Sequence, residues 1–274
     1  MANSYSLRKL TNEGSYERIT EPYLGVLNVI GQFFDSYFDA GDDKASLYVR
    51  GSVATGKAKP PISDIDLVLV VDYERLDAAK GYFNAIVTDL VHKYAPDITE
   101  IDLTVTTIDV LLYDSDIKNL KIYMKYQSVL LRGVDILNEL PGVYPGPYLA
   151  MYMYGDLESE LKSLERQFSR IGEPKTYQNK ERPDSFWCVW MMRTILRSAM
   201  ALSMFEDSYF TQDLQECNRM AKKYYPELSD FLDESLRLAI EPSNDANYLL
   251  DFMHRYVAEY LQTWNRRRER WLVS

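Results

Sequence analysis

The sequence predicts an α+β fold, in which an N-terminal mixed-sheet domain (residues 1–140) precedes an all-helical C-terminal domain (146–274). Strand-like runs, apolar and rich in β-branched residues, occur only in the first half of the chain, at 46–50, at 64–71 and in the segment 98–112, where the alternation is clearest over 98–106. The densest cluster of Pro and Gly follows them, and beyond it apolar residues recur only at helical spacing. We therefore place the domain boundary in that cluster.

The segments around the strands have the apolar spacing of helices that pack on a sheet. In the N-terminal domain the predicted helices are 15–40, 74–94 and 114–132. The C-terminal domain is predicted to be a five-helix bundle whose helices are separated by prolines, with no strand. Its helices are predicted at 148–171, 184–205, 211–224, 226–240 and 245–271.

Composition favours a soluble protein with a packed core. The chain has 274 residues, of which 46% are hydrophobic, enough to bury a core in one large or two modest domains. Its longest apolar runs are too short to span a bilayer, and its first residues lack the apolar region of a signal peptide. Cys188 and Cys217 are predicted to be core thiols in a reducing compartment, and a disulfide between them is the alternative. We therefore expect a cytoplasmic protein without membrane contact.

Net charge narrows the class of partner. The formal net charge is −10, from 41 acidic and 31 Lys or Arg residues. Proteins that follow a phosphate backbone carry a basic stripe, so an acidic chain disfavours nucleic acid as the partner. The basic run from Arg266 to Arg270 is interpreted as a solvated helix end rather than an RNA site. A small cationic acceptor fits the charge of this chain better.

The chemistry is predicted to lie where one strand ends at Gly51 and Ser52 and the next begins with Asp64 and Asp66. Side-chain alternation places both aspartates on one face of a strand whose two faces are otherwise apolar. Two carboxylates there repel each other and lose hydration, a cost that a divalent cation offsets. Hard oxygen ligands of this kind suit Mg²⁺. The alternative is that Asp64 caps a turn and that Asp66 is solvated.

Gly51 and Ser52 add a phosphate-binding feature to this site. A glycine lets the backbone approach a bound group or adopt a positive φ, and the free N–H groups of the following turn hold phosphate oxygens. Lys57 and Lys59, in the loop before the aspartates, either steer a triphosphate or are ordinary solvated residues. The sequence thus predicts one site for both phosphate and a carboxylate-bound metal.

This arrangement resembles the DNA polymerase β-like nucleotidyltransferase superfamily, which combines an apolar strand, Gly-Ser, a short loop and Asp-x-Asp in a second apolar strand. Here residues 53–63 form the loop. The resemblance implies that Asp64 and Asp66 are catalytic and hold Mg²⁺, as two ions. It also implies that Gly51 and Ser52 bind the phosphates of an NTP co-substrate.

Members of this superfamily carry a third carboxylate on a neighbouring strand. The resemblance therefore implies a third catalytic and metal-binding acid in the run 98–106, for which Asp102 is our choice. Glu100, on the same strand face, is the alternative. Taken alone, an acid here is more often a charge that keeps an edge strand from pairing with other chains. The assignment therefore depends on the whole set of acids.

The N-terminal pattern together with a helical C-terminal domain resembles most closely the streptomycin/spectinomycin-type aminoglycoside adenylyltransferases. In that type the strand of the third acid reads apolar-acid-apolar-Thr-Val, as residues 101–105 do here, with Glu where this chain has Asp. The resemblance implies ATP as co-substrate, a role in antibiotic resistance, and an Arg and a Lys on the nucleotide phosphates. Arg193 and Arg197, four residues apart on one helix face, are the candidates for the Arg. Thr211 and Gln212 stand at the Lys position.

Asp184 and Trp187 are predicted to contact the acceptor. Asp184 lies beside an aromatic cluster that also includes Phe186 and Trp190 and that could line a pocket for a sugar or a base. The alternative is that these aromatic side chains form part of the core of the C-terminal domain.

The sequence therefore predicts a Mg²⁺-dependent nucleotidyltransferase that moves an NMP, which we expect to be AMP, from an NTP to a hydroxyl of a small cationic acceptor such as an aminoglycoside. Pyrophosphate is the second product. One alternative is nucleotidylation of tRNA or protein by a toxin-like or RNA-modifying enzyme. A second is a non-catalytic nucleotide-binding module, which the retention of all three acids disfavours.

Overall fold

The computed structural model describes most of the chain as two compact units. The described residues are 10–39, 42–113, 118–177 and 180–272. One unit runs from Leu10 to Val143, and the second begins at Tyr144. This division falls inside the Pro- and Gly-rich segment of the sequence.

A four-stranded mixed sheet forms the centre of the first unit. Its strands are β1 (Ser46–Arg50), β2 (Ile65–Val70), β3 (Ile101–Thr106) and β4 (Ser128–Gly133). Their order in the sheet is β3-β2-β1-β4, with β1 antiparallel to both of its neighbours and β2 parallel to β3. The predicted fold class, a mixed sheet followed by a helical region, is confirmed.

Helices cover both faces of this sheet. They are α1 (Tyr23–Tyr37), α2 (Gly51–Ala54), α3 (Leu76–Tyr94), α4 (Ile108–Tyr113) and α5 (Lys118–Gln127). Helix α3 is the crossover that two parallel strands require. Helix α1 is shorter than the predicted 15–40, because Pro22 directly precedes it and a proline is tolerated only in the first turn of a helix. Residue 40 lies outside the described residues.

Strand β4 overturns part of the predicted helix 114–132. That helix ends at Gln127, and the chain then pairs with β1 in antiparallel register, Ser128 opposite Arg50. The Asn12 side chain donates to the Ser128 carbonyl (2.7 Å) and accepts from the Ser128 N–H (3.2 Å), so this edge strand begins with both backbone groups paired. Residues 114–117 lie outside the described residues.

Both sheet faces are buried, as predicted for the strand that carries the aspartates. One face packs against α1 and α3 through Leu47, Val49, Ile65, Leu67 and Leu69. The opposite face packs against α4 and α5 through Tyr48, Val68, Val70, Leu111 and Met124. Full burial of one such side chain contributes about 1.5–3 kcal/mol. Because side chains alternate, Arg50 and Asp66 continue the second apolar face at its end.

Tyr48 fixes the turn after β4 by hydrogen bonds. Its buried hydroxyl donates to Asp135 Oδ1 (3.0 Å) and accepts from the Ile136 N–H (2.7 Å). Burial raises the pKa of Tyr48. We expect Tyr48→Phe to lower the free energy of unfolding by about 1–3 kcal/mol, because a buried N–H then loses its acceptor. Chemical denaturation of the two proteins measures the difference, and equal midpoints with equal slopes would contradict this role.

The second unit is mainly helical. Its helices are α6 (Pro147–Tyr154), α7 (Leu157–Ser169), α8 (Asp184–Asp207), α9 (Leu214–Tyr224), α10 (Ser229–Ile240), α11 (Ala246–Phe252) and α12 (Ala258–Leu272), with a π-helical turn (Met253–Val257) between the last two. The prediction that no strand follows residue 147 is wrong, because β5 (Thr176–Tyr177) pairs with β6 (Lys180–Glu181). Throughout the described chain, no helix has an apolar stretch of the length that crossing a bilayer needs.

Cys188 and Cys217 are both buried and unlinked. The predicted core thiols are therefore confirmed, and the alternative of a disulfide between them is wrong. Burial raises the pKa of the Cys188 thiol to about 11, so this cysteine stays protonated and unreactive at neutral pH.

Candidate active site

Three carboxylates converge at one end of the sheet. Asp66 of β2 and Asp102 of β3 are direct register partners, and Asp64 precedes β2 by one residue. One oxygen of each carboxylate lies within 4.8 Å of the other two. Glu100 precedes β3, and its backbone carbonyl accepts the Ile65 N–H (3.1 Å). Among the described residues, the acid that joins Asp64 and Asp66 is therefore Asp102 and not Glu100.

Buried neighbours hold these acids in position. The parallel register between β2 and β3 begins with the pair Ile65 and Ile101, both of which are buried. The Tyr23 hydroxyl, from α1, donates to the Ser63 carbonyl (3.2 Å) and so fixes the residue before Asp64. Burial raises the pKa of Tyr23, and the negative charge of Asp64 acts in the same direction. The acids thus lie at the rim of a rigid, packed sheet.

Gly51 stands directly against Asp66. It has a φ of +75°, which L side chains rarely adopt, and a Cβ on it would lie 2.7 Å from Asp66 Oδ2. The Thr55 backbone N–H (3.1 Å) and hydroxyl (3.0 Å) both donate to the Gly51 carbonyl and close the short helix α2. The predicted positive φ is therefore present, and the structure adds a second reason for glycine, the space that the Asp66 carboxylate occupies.

Ser52 lies in the first turn of α2 and is half-buried. Its backbone carbonyl accepts the Lys57 N–H (2.8 Å), which turns the chain back toward the acids. Farther along the loop, the Lys59 N–H donates to the Ser63 hydroxyl (3.0 Å). Both lysine side chains are exposed at this surface.

Arg50 is a site residue that the sequence reasoning missed. Its Nη2 lies 2.7 Å from Asp66 Oδ1, and its guanidinium carbon lies 5.9 Å from the centre of the Tyr123 ring. Arg50, Asp66 and Asp102 form one row across three adjacent strands. The signal in the sequence was a charged residue that directly follows the apolar residues of β1, on the same strand face as Tyr48.

The donor set fits Mg²⁺. Opposite ligands of an octahedral Mg²⁺ are about 4.2 Å apart, since each ligand lies about 2.1 Å from the ion. Three carboxylate oxygens within 4.8 Å of one another span such an ion after small side-chain rotations. Hard anionic oxygens are also the ligands that Mg²⁺ prefers over softer atoms.

Comparison with known families agrees with this geometry. Residues 31–138 match the family described as nucleotidyltransferase domain. These residues include the Gly51-Ser52 turn and the three acids. The predicted superfamily relationship is thereby confirmed, and so is the prediction that the chain is a nucleotidyltransferase enzyme.

One solved structure is similar over a larger part of the chain. The crystal structure of spectinomycin adenyltransferase AAD(9) from Enterococcus faecialis with ATP and spectinomycin is similar over 78% of this chain and 98% of that chain. The sequence identity is 13% and the TM-score is 0.44. No curated protein sequence matches the chain.

The arginines predicted to bind phosphate lie on α8 of the helical unit, outside the nucleotidyltransferase domain. Arg193 is exposed, whereas Arg197 is half-buried and its Nε is buried without a hydrogen-bond partner among the described residues. At the position of the family's lysine, Thr211 and Gln212 are buried. The assignment of Arg193 and Arg197 to the nucleotide phosphates stays a prediction.

The residues predicted to contact the acceptor also lie on α8. Trp187 is 5% exposed and stacks on Trp190 with ring centres 5.8 Å apart, so it belongs to the packed interior of its unit, as in the alternative interpretation of the aromatic cluster. Asp184, the first residue of α8, forms an ion pair with Lys175, whose side chain is 5% exposed. The acceptor role of Asp184 and Trp187 stays a prediction.

The Lys175–Asp184 pair predicts a stability effect. We expect Asp184→Asn to lower the free energy of unfolding by about 3 kcal/mol, because it leaves a buried ammonium group without its counter-ion. Thermal unfolding measures the change, with Glu181→Gln, which alters an exposed acid nearby, as the matched control. An Asp184→Asn protein as stable as the control would show that Lys175 finds another partner.

Proposed function

We propose that the protein transfers AMP from ATP to a hydroxyl group of a small cationic acceptor such as an aminoglycoside, in a Mg²⁺-dependent reaction that releases pyrophosphate. The observation that carries the proposal is the Asp64, Asp66 and Asp102 cluster beside Gly51. AMP, ATP and a role in antibiotic resistance follow from the motif resemblance, in which residues 101–105 match the aminoglycoside adenylyltransferase pattern.

In this proposal each residue has a defined task. Asp64, Asp66 and Asp102 would hold Mg²⁺, which we expect as two ions and which would supply positive charge against the triphosphate and the leaving pyrophosphate. Asp102 also orients the acceptor hydroxyl and accepts its proton. The acceptor oxygen then attacks the α-phosphorus in line, and the bond to the pyrophosphate oxygen breaks. The Gly51 and Ser52 amides, with the Ser52 hydroxyl, bind the β- and γ-phosphate oxygens.

Charge supports a cationic acceptor. The chain has a net charge of −10, which attracts polycations and repels a nucleic acid backbone. The C-terminal arginines are engaged within their own helical unit: Arg267 pairs with Glu206, Arg268 donates to the Gly155 carbonyl, and Arg266 donates to the Gln262 carbonyl. These contacts are typical of a structural helix end rather than of an RNA-binding patch.

The test is an acceptor screen. The protein is incubated with Mg²⁺, one of four NTPs labelled at the α-phosphate, and one of three pools: an aminoglycoside panel, total tRNA, or a protein lysate. We expect label from ATP to appear in the aminoglycoside pool, with pyrophosphate released in equal amount. Label in the tRNA or protein pool alone would contradict the proposed aminoglycoside acceptor, while it would still support nucleotidyl transfer.

Two further arms of the screen test the chemistry itself. EDTA in excess of Mg²⁺ should abolish labelling of every pool, because the three carboxylates then lack the metal that they hold. An Asp89→Asn protein, altered at an exposed acid on α3, should label the acceptor as the unaltered protein does. Labelling that survives EDTA would contradict the metal requirement.

A further inference from the structure

Arg50 places a positive charge directly beside the three carboxylates. Its Nη2 contacts Asp66 Oδ1 at 2.7 Å, and the exposed fractions of the two side chains are only 23% and 17%. At such a partly buried site the attraction between opposite charges is several times stronger than in bulk water. The guanidinium therefore competes for the same carboxylate that the proposed function assigns to Mg²⁺.

The Arg50 side chain also has an unused donor. Its Nε is buried and has no hydrogen-bond partner among the described residues. Buried donors of this kind are rare in folded proteins, and anionic oxygens are their strongest acceptors. Arg50 directly precedes Gly51, which lies at the predicted phosphate site. The Arg50 guanidinium is therefore close to where anionic phosphate oxygens would bind.

We propose that Arg50 is a positioning residue that acts as the resident counter-cation of the Asp64, Asp66 and Asp102 cluster. Without nucleotide, it holds Asp66 and lowers the affinity of the cluster for a lone divalent ion. When the metal arrives with a triphosphate, the guanidinium passes from Asp66 to the anionic phosphate. Arg50 thereby couples metal binding to nucleotide binding. This inference rests on the proposed function.

The coupling predicts affinity changes of opposite sign in one variant. Arg50→Gln should bind Mn²⁺, used as a calorimetric probe in place of Mg²⁺, about tenfold more tightly than the unaltered protein, since one positive charge is removed beside the ligands. The same variant should bind a non-hydrolysable ATP analogue with Mn²⁺ several-fold more weakly, because the phosphate loses a charged donor. A variant that merely damages the site would instead bind both Mn²⁺ alone and the ATP analogue more weakly.

Two variants serve as controls. Arg50→Lys keeps the positive charge, so its affinity for Mn²⁺ alone should stay within about threefold of the unaltered value. Arg132→Gln removes an arginine at the opposite end of the sheet, where Arg132 pairs with Asp35 (2.9 Å), and it should change neither affinity. Together the two controls distinguish the effect of the positive charge at residue 50 from the effect of losing any arginine.

A second measurement uses the unaltered protein and does not depend on the folding of a variant. The side-chain Nε–H signal of Arg50, identified by its absence in Arg50→Lys, is followed by NMR during titration with Mg²⁺ alone. We expect it to shift, because Mg²⁺ displaces the guanidinium from Asp66, while the Arg132 signal stays in place.

The outcomes separate this inference from the proposed function. If the unaltered protein binds neither Mn²⁺ nor the Mn²⁺–nucleotide pair, the proposed function fails. If the unaltered protein binds both, and folded Arg50→Gln binds Mn²⁺ alone no more tightly, the role of Arg50 is wrong and the proposed function stands. An Arg50 signal that does not move while Mg²⁺ binds would likewise contradict the role of Arg50.

Discussion

Asp66→Asn should lower the rate of nucleotidyl transfer by at least about a thousandfold while the protein stays folded. The substitution keeps the shape of the side chain but removes the charge of a proposed metal ligand at the centre of the row Arg50, Asp66 and Asp102. Loss of about 4 kcal/mol of transition-state stabilisation corresponds to this factor. Pyrophosphate release gives the rate, and circular dichroism with thermal unfolding verifies the fold.

The control for this substitution is Asp89→Asn, which removes the same charge from an exposed position on α3. It should retain the full rate of transfer. A lower rate in Asp66→Asn is then caused by the change at the site and not by the change in net charge. Undiminished pyrophosphate release by folded Asp66→Asn would remove Asp66 from the metal site. It would also remove the reason for the proposed exchange at Arg50.

Gly51→Val should reduce transfer by about a hundredfold and destabilise the fold by about 1–3 kcal/mol. A side chain at this φ of +75° is strained, and its Cβ would meet Asp66 Oδ2 at 2.7 Å. Displacing a catalytic group by about 1 Å costs on the order of a hundredfold in rate. Weaker binding of the triphosphate, measured by calorimetry, should accompany the loss.

Gly81→Ala is the matched control for the glycine substitution. Gly81 lies within helix α3, and a Cβ there meets nothing within 4 Å. Because alanine is the better helix former, we expect this variant to be more stable by about 0.5–1 kcal/mol and equally active. Equal triphosphate affinity in Gly51→Val and the unaltered protein would refute both the phosphate role of Gly51 and its contact with Asp66.

Local patterns were sufficient to predict the sheet strands that carry the acids. The runs around Asp66 and Asp102 are short, apolar and β-branched, and a strand pattern with period two also predicts which residues share a face. Strand β4 could not be found in this way. Its apolar residues continue the helical spacing of α5, and only the long-range ladder with β1, together with the bonds from Asn12, decides its conformation.

The same distinction applies to the site. The sequence predicted Asp102 over Glu100 through the family pattern of residues 101–105. The register that pairs Asp102 with Asp66 joins two strands separated by a whole helix, and local sequence contains no register information for such a pair. The contact of Arg50 with Asp66 likewise needs the pairing of β1 with β2. In the helical unit, the ion pair that engages Asp184 joins residues from either side of a short hairpin, which the sequence did not predict.

The segment around Asn12 determines how this enzyme can be divided. It lies outside residues 31–138, yet it binds Ser128, the Glu13 N–H donates to the Tyr126 carbonyl (2.7 Å), and the Ser15 N–H donates to the Ala54 carbonyl (3.0 Å). A polypeptide that begins at residue 31 would lack these hydrogen-bond partners, and the backbone groups of Ser128 at the start of the edge strand β4 would be unpaired. Exposed edges recruit strands from other molecules, so a cut at the family boundary favours aggregation, and residue 10 is the sounder starting point for an isolated domain.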